Sequence, residues 1–368
     1  MSVPEATPVV LDRPRLKLHH KSAIGILVVV ALLVAARVAL PYVVRDQINK
    51  EMATLGPYRG QVADVELHLW RGAYAIKGML IEKSSSKVPV PLFKAPQIDL
   101  SVSWHQLFHG AIVAEVIFDR PEINLVDGRS GGDSQSGRGV YWRAELDRLL
   151  PIQLNEVRVR DGTVAFRAFD TKPQVELKAT EVQATIQNLT NVRGAAGKRV
   201  AEFEARAMVL QDAPLETKAS FDPFGTLDDF DFNLRVLKLK LTKLNPLLQA
   251  YARLDVASGD GELVMELQAS DGQLDGYAKP LFQDLKMLSW QQDVVEQHDN
   301  PLRLAWEALA GGTAFMFKNQ RADQFATRIP IRGDLKNPTT GKLDAFLAIR
   351  RNAFVEAFKP QFEAGQTR

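Results

Sequence analysis

Between residues 60 and 345, apolar and polar side chains alternate with a period of two, the signature of strands with one face on a core and one in water. In Glu156-Val157-Arg158-Val159-Arg160 the valines share one face and the charges the other. Asp161-Gly162 then predicts a tight turn, after which Val164-Ala165-Phe166-Arg167 returns in the same pattern. Asp-Gly recurs at 127–128, 260–261, 271–272 and 275–276. Further alternating runs are Val65-Glu66-Leu67-His68-Leu69, Glu202-Phe203-Glu204-Ala205-Arg206-Ala207 and Phe230-Asp231-Phe232-Asn233-Leu234-Arg235-Val236, with 262–268 and 329–335 alike. A short repeat accompanies them: Pro96-Gln97-Ile98-Asp99-Leu100, Pro121-Glu122-Ile123-Asn124-Leu125 and Pro173-Gln174-Val175-Glu176-Leu177. Proline at the first residue of a strand needs no amide donor, and the branched residue and leucine then share a face.

Helical signals are few. Residues 141–150 are amphipathic and stopped by Pro151; 244–252 open at Pro246; 301–310 follow Asn300 as N-cap and end on Gly311-Gly312; 346–368 read as a C-terminal helix and tail. The Gly- and Ser-rich stretch 127–139 reads as a mobile loop. No regular strand–helix alternation supplies parallel crossovers, so the expected fold is mostly β: an elongated, curled antiparallel sheet with a few short helices. A dozen or more strands with so few helices leave apolar faces uncovered. The sheet must close on itself, pack as a sandwich, or curl into a trough whose apolar lining calls for a ligand.

The longest apolar run without alternation lies at the N-terminus. Residues 22–44 are almost wholly apolar, about 20 residues, enough for ~30 Å of hydrocarbon. Residues 1–45 carry Arg13, Arg15, Lys17, Lys21, Arg37 and Arg45 against Glu5 and Asp12, a net +4. The whole chain of 368 residues sums to +2, so the rest carries −2. Basic residues on one flank place residues 1–21 in the cytoplasm and the body, from residue 60, outside it. A cleavable signal peptide ending at Val34-Ala35-Ala36 is the other reading, and it delivers the body to the same side.

Composition narrows the chemistry. Near-neutral charge argues against nucleic acid as a partner. The absence of cysteine removes disulfides, thiol nucleophiles and thiolate metal sites. His105 and His109 stand four apart without the glutamate of a zinc-binding helix, and Asp228, Asp229 and Asp231 read as a solvated turn. No phosphate-binding loop, dinucleotide fingerprint or nucleophile elbow occurs. No catalytic residue, cofactor or metal is therefore expected.

The run Ser101-Val102-Ser103-Trp104-His105-Gln106-Leu107-Phe108-His109-Gly110, followed by 112–118 and Asp119-Arg120-Pro121-Glu122-Ile123-Asn124-Leu125, resembles the AsmA-like proteins. There a strand, a short turn ending in glycine, and a basic-Pro-x-hydrophobic-x-Leu strand follow one another. Residues 154–166, 239–277 and 329–338 are similar to later units of that family, in a branch with a domain of unknown function. The resemblance implies a body (residues 60–345) in the periplasm of a Gram-negative bacterium, anchored in the inner membrane, with a taco-like β-groove for phospholipid. About twelve to sixteen strands at ~4.8 Å would give a groove of roughly 60–75 Å.

The candidate lining is Val157, Val159, Val164, Phe166, Phe203, Phe232, Leu234, Val236, Leu263, Met265 and Leu267. Two readings stand at this point: a closed core, or a groove holding phospholipid acyl chains in a lipid-binding or lipid-transfer module. The alternative function is a structural factor that holds outer-membrane or other envelope proteins by its sheet edges.

Overall fold

A computed structural model describes residues 20–68, 73–84, 88–102, 114–128, 133–137, 154–189, 201–222, 229–252, 254–290, 318–319, 324–326 and 328–335. The helices expected at 141–150, 301–310 and 346–368, and His105, His109 and Asp228, lie outside the described residues.

The chain opens with helix α1 (His20–Met52), whose 33 residues span about 50 Å. Within Leu27–Met52 an apolar window makes the helix long and apolar enough to cross a membrane. The helix runs past the end of the apolar segment expected from the sequence, and its last turns have a different task. Val44, Ile48 and Met52, spaced four apart on one face, pack against the first strands. Asn49 fixes the junction: its amide nitrogen donates to the Val62 carbonyl (3.1 Å) and its oxygen accepts from the Val62 N–H (2.7 Å).

Among the described residues, one curled, mixed sheet of 16 strands follows. It contains β1 (Tyr58–Gln61), β2 (Asp64–His68), β3 (Ala73–Lys83), β4 (Phe93–Val102), β5 (Ala114–Asp119), β6 (Glu122–Asp127), β7 (Leu154–Ala168) and β8 (Val175–Gln187). Then come β9 (Ala201–Val209), β10 (Ala213–Phe221), β11 (Phe230–Lys240), β12 (Leu254–Ser270), β13 (Gln273–Trp290), β14 (Lys318–Asn319), β15 (Gln324–Ala326) and β16 (Ile329–Asp334). Between β11 and β12 lie a 3-10 turn (Leu241–Leu244) and helix α2 (Asn245–Ala252), the helix expected from Pro246. Strand order follows chain order almost throughout.

The mostly β, curled sheet is as expected, but its pairing is not wholly antiparallel: β7 runs parallel to both β5 and β6. Those two strands are halves of one run bent at Arg120-Pro121. The long connection from Asp127 to Leu154 brings the chain back to start β7 in the same direction, as a parallel neighbour requires.

Asp161-Gly162 is not a hairpin turn. It lies inside β7, where Asp161 adopts a positive φ of 52° and the register with β8 slips. This is a β-bulge, and it has company. Gly78 in β3, Arg120 between β5 and β6, Glu181 in β8, Lys238 in β11, Gly259 in β12 and Asp284 in β13 all have positive φ. The registers place them side by side across the sheet, interrupted at β4, β9 and β10. At Arg120 the backbone bonds continue across the bend, with Arg120 N–H donating to the Arg160 carbonyl and Thr163 N–H to the Pro121 carbonyl, both 2.8 Å. A bulge bends its strand and raises its twist, so a row of them folds the sheet along a crease.

The stretch 127–139 is also tied down in part. Gln135 bridges to Val126 and is fully buried, its amide donating to the Asn124 carbonyl (3.0 Å).

Candidate functional site

Directly paired residues on neighbouring strands point to the same side of a sheet, so the registers assign every side chain to a face. All eleven candidate residues fall on one face. Phe203 of β9 lies beside Ile186 of β8 and Ala219 of β10; Ala219 pairs Phe232, which pairs Leu267. Leu234 stands beside Met265, and Val236 beside Leu263. Val157 and Val159 join through Ile186 and Ala184. The bulge at Asp161 shifts the parity, so that Val164 and Phe166 return to that face opposite Ala179 and Leu177.

The face continues beyond the residues that alternation singled out. It includes Val65, Leu67, Tyr74, Ile76, Ile98, Leu100, Val116, Phe118, Ile123 and Leu125 on one side, and Leu274, Ala278, Ile329 and Ile331 on the other. The Pro-x-branched-x-Leu repeat had marked part of this set: Ile98 and Leu100, Ile123 and Leu125, and Val175 and Leu177 all lie on it. From β2 to β13 the lining is apolar almost without exception. Thr217 within it, and Lys83 and Asp127 towards strand ends, are polar. The Thr217 hydroxyl donates to the Asn233 carbonyl at 2.9 Å, so it adds no unmet donor.

The opposite face is charged and cross-linked by ion pairs between strands: Arg235 with Glu216 and Lys218 with Glu204 at 2.6 Å, and Arg167 with Glu176 at 2.9 Å. Lys218 and Lys178 hold the carboxyls of Glu204 and Glu176, respectively, below their ordinary range, chiefly through hydrogen bonds. The exposed Lys218–Glu204 pair contributes little to stability by itself, whereas Arg167 is buried, and over β12–β13 the same face also buries Val264, Tyr277, Lys279 and Leu281.

Burial varies systematically along the apolar face. Next to α1 it is a closed core, with Val65, Leu100 and Val116 each 1% exposed beneath Met52 and Leu55. There burial pushes the Tyr74 hydroxyl up to about 12. From β6 onward the cover thins. Of the eleven candidates Val236 alone is buried; nine are half-buried and Val164 is exposed. Val164 (36%) pairs with Ile123 (37%), and outside α1 these are two of the three large aliphatic side chains left exposed among the described residues.

The cover that does exist there is α2. Its Tyr251 ring lies 6.5 Å from that of Phe166 in β7, and its hydroxyl donates to Asp127 at the end of β6. A helix rooted between β11 and β12 thus reaches β6 and β7, which the sheet's curl makes possible. Tyr251 carries no pattern signal in the sequence, because a lone aromatic in a short helix reads as core.

Among the described residues, no group of histidine, aspartate and glutamate is arranged to hold a metal ion. Asp229 accepts a hydrogen bond from the Asp271 backbone N–H at 3.2 Å, next to the turn joining β12 and β13. No protein-family model matches the chain, and no curated protein matches it significantly.

Proposed function

We propose that this chain is a single-pass, inner-membrane-anchored protein whose periplasmic body binds phospholipid acyl chains in an AsmA-like β-groove and passes lipid through the cell envelope. The observation that carries this reading is the half-covered apolar face running from β6 to β13, bent along a line of bulges and backed by a charged outer face. An apolar surface of this extent normally marks a binding site. The mechanism is passive: each CH₂ that leaves water contributes about 0.8 kcal/mol, so a chain in the trough can leave a bilayer without meeting water. No covalent step is needed. The apolar segment of α1 supplies the anchor, with the basic flank on the cytoplasmic side.

The test is mass spectrometry of lipids bound to the purified protein. Leu234 is half-buried on the trough face, so Leu234→Asp places a charge where acyl chains would lie. We expect the variant to keep its β-sheet circular dichroism and lose its bound phospholipid. Native-like lipid content in a folded Leu234→Asp variant would overturn the groove, and crosslinks to envelope proteins in place of lipid would favour an assembly factor.

A further inference from the structure

Helix α2 is anchored firmly at one end and lightly at the other. At its root, Leu241 is 4% exposed and sits over two glycines of β12: a Cβ on Gly261 would lie 2.6 Å from Leu241 Cδ2, and one on Gly259 3.1 Å from its Cδ1. Asn245 grips the start of β12, its amide nitrogen donating to the Val256 carbonyl (2.9 Å) and its oxygen accepting the Val256 N–H (3.0 Å). Lys243 donates to the Leu210 carbonyl (2.8 Å) and pairs with Asp212 (2.9 Å). Leu254 and Val256, just beyond the helix, are buried.

The body of the helix is different: every residue from Asn245 to Tyr251 is half-buried. Its far end is held across the trough by Tyr251, through the Phe166 ring and the Asp127 carboxylate. Asp127 is one of the few polar residues on the trough face, and there its charge is met by a donor from the helix. Burial, and then the bond to Asp127, raise the Tyr251 hydroxyl above its ordinary value, which keeps it protonated and able to donate. Beside this contact lie the exposed aliphatic pair Ile123 and Val164. Beneath the root the β12–β13 ladder slips register between Asp255 and Val256, Val256 and Ser258, and Ser258 and Asp260.

We propose that α2 is a strap across the trough, hinged at Leu241–Asn245 and latched by Tyr251 on Asp127, which must swing out before an acyl chain can lie over Phe166, Val164 and Ile123. This regulation rests on the lipid-binding reading above. The latch includes a charge-assisted hydrogen bond to Asp127 and a ring contact with Phe166; losing such a bond shifts an equilibrium by roughly tenfold. A ligand that fills the apolar space under the tip would favour the open strap by differential binding.

The chain has no cysteine, so Asp127→Cys with Tyr251→Cys would give it only two thiols. The full-length double variant, reconstituted in phosphatidylcholine vesicles, is joined with a short, reducible bis-methanethiosulfonate, and uptake of pyrene-labelled phosphatidylcholine is followed. Uptake should stop on crosslinking and return on reduction, and Tyr251→Phe, which keeps the ring, should take up lipid about tenfold faster than the native chain. Uptake by the crosslinked protein at the uncrosslinked rate, or an unchanged rate in Tyr251→Phe, would overturn the strap while leaving lipid binding intact. Absence of uptake in every form, the native chain included, would overturn the lipid-binding reading and the strap with it.

Discussion

Gly276 of β13 lies on the trough face between Leu267 of β12 and Ile331 of β16. A Cβ there would come within 2.2 Å of the Glu266 carbonyl oxygen and 2.8 Å of Leu267 Cα, both backbone atoms that cannot swing aside. The missing side chain lets two long strands approach closely at this point. Gly276→Val should therefore lower stability by about 2–3 kcal/mol, read as a lower urea midpoint with little change in slope. Single residues were also where the sequence was most and least legible. Alternation put all eleven lining candidates on one face, because period two is a direct record of which side meets water. The Asp-Gly pairs misled for an equally local reason. Asp161 in a bulge and Asp271 in a true hairpin turn share nearly the same φ, 52° and 50°, so the dipeptide reports a left-handed residue and not what the chain does next. Nor could local pattern foresee Tyr251, since its partners Phe166 and Asp127 are brought to it only by the curl of the sheet.

At the scale of elements, the strands owe their bend to left-handed residues, most of which are not glycine. Arg120, Asp161, Glu181, Lys238 and Asp284 each accept a conformation that costs an L-residue about 1–2 kcal/mol. Lys238 is exposed, so its side chain contributes little packing to set against that cost. Lys238→Gly should raise stability by about 1 kcal/mol, whereas Lys238→Val, β-branched and ill suited to positive φ, should lower it by about 1–2 kcal/mol. Opposite shifts of the denaturation midpoint would establish the strain; equal shifts would show that the bend at β11 is imposed by its neighbours. The two helices are docked by one device. Asn49 of α1 and Asn245 of α2 each exchange two hydrogen bonds with the backbone of a valine, Val62 and Val256, satisfying a donor and an acceptor at once.

For the whole molecule, the distribution of burial makes α1 part of the fold as well as a membrane-crossing candidate. Its last turns close the core of β1–β5, where Met52 is fully buried and Leu55 is 1% exposed. A chain beginning at residue 42 should keep the sheet and a cooperative unfolding transition. One beginning at residue 53 loses Val44, Ile48 and Met52, and should expose Leu100 and Val116, bind a hydrophobic dye and unfold at markedly lower temperature. Sheet order follows chain order, each strand bonding mainly to its sequence neighbours, and the unbent hairpin β9–β10 sits comfortably between bent ones. A further hairpin spliced into such a series would lengthen the trough by about 10 Å and leave its cross-section alone. Reach and calibre are thus separately heritable: duplication of hairpins sets how far the protein extends, and point substitution at the bend residues sets how tightly it closes.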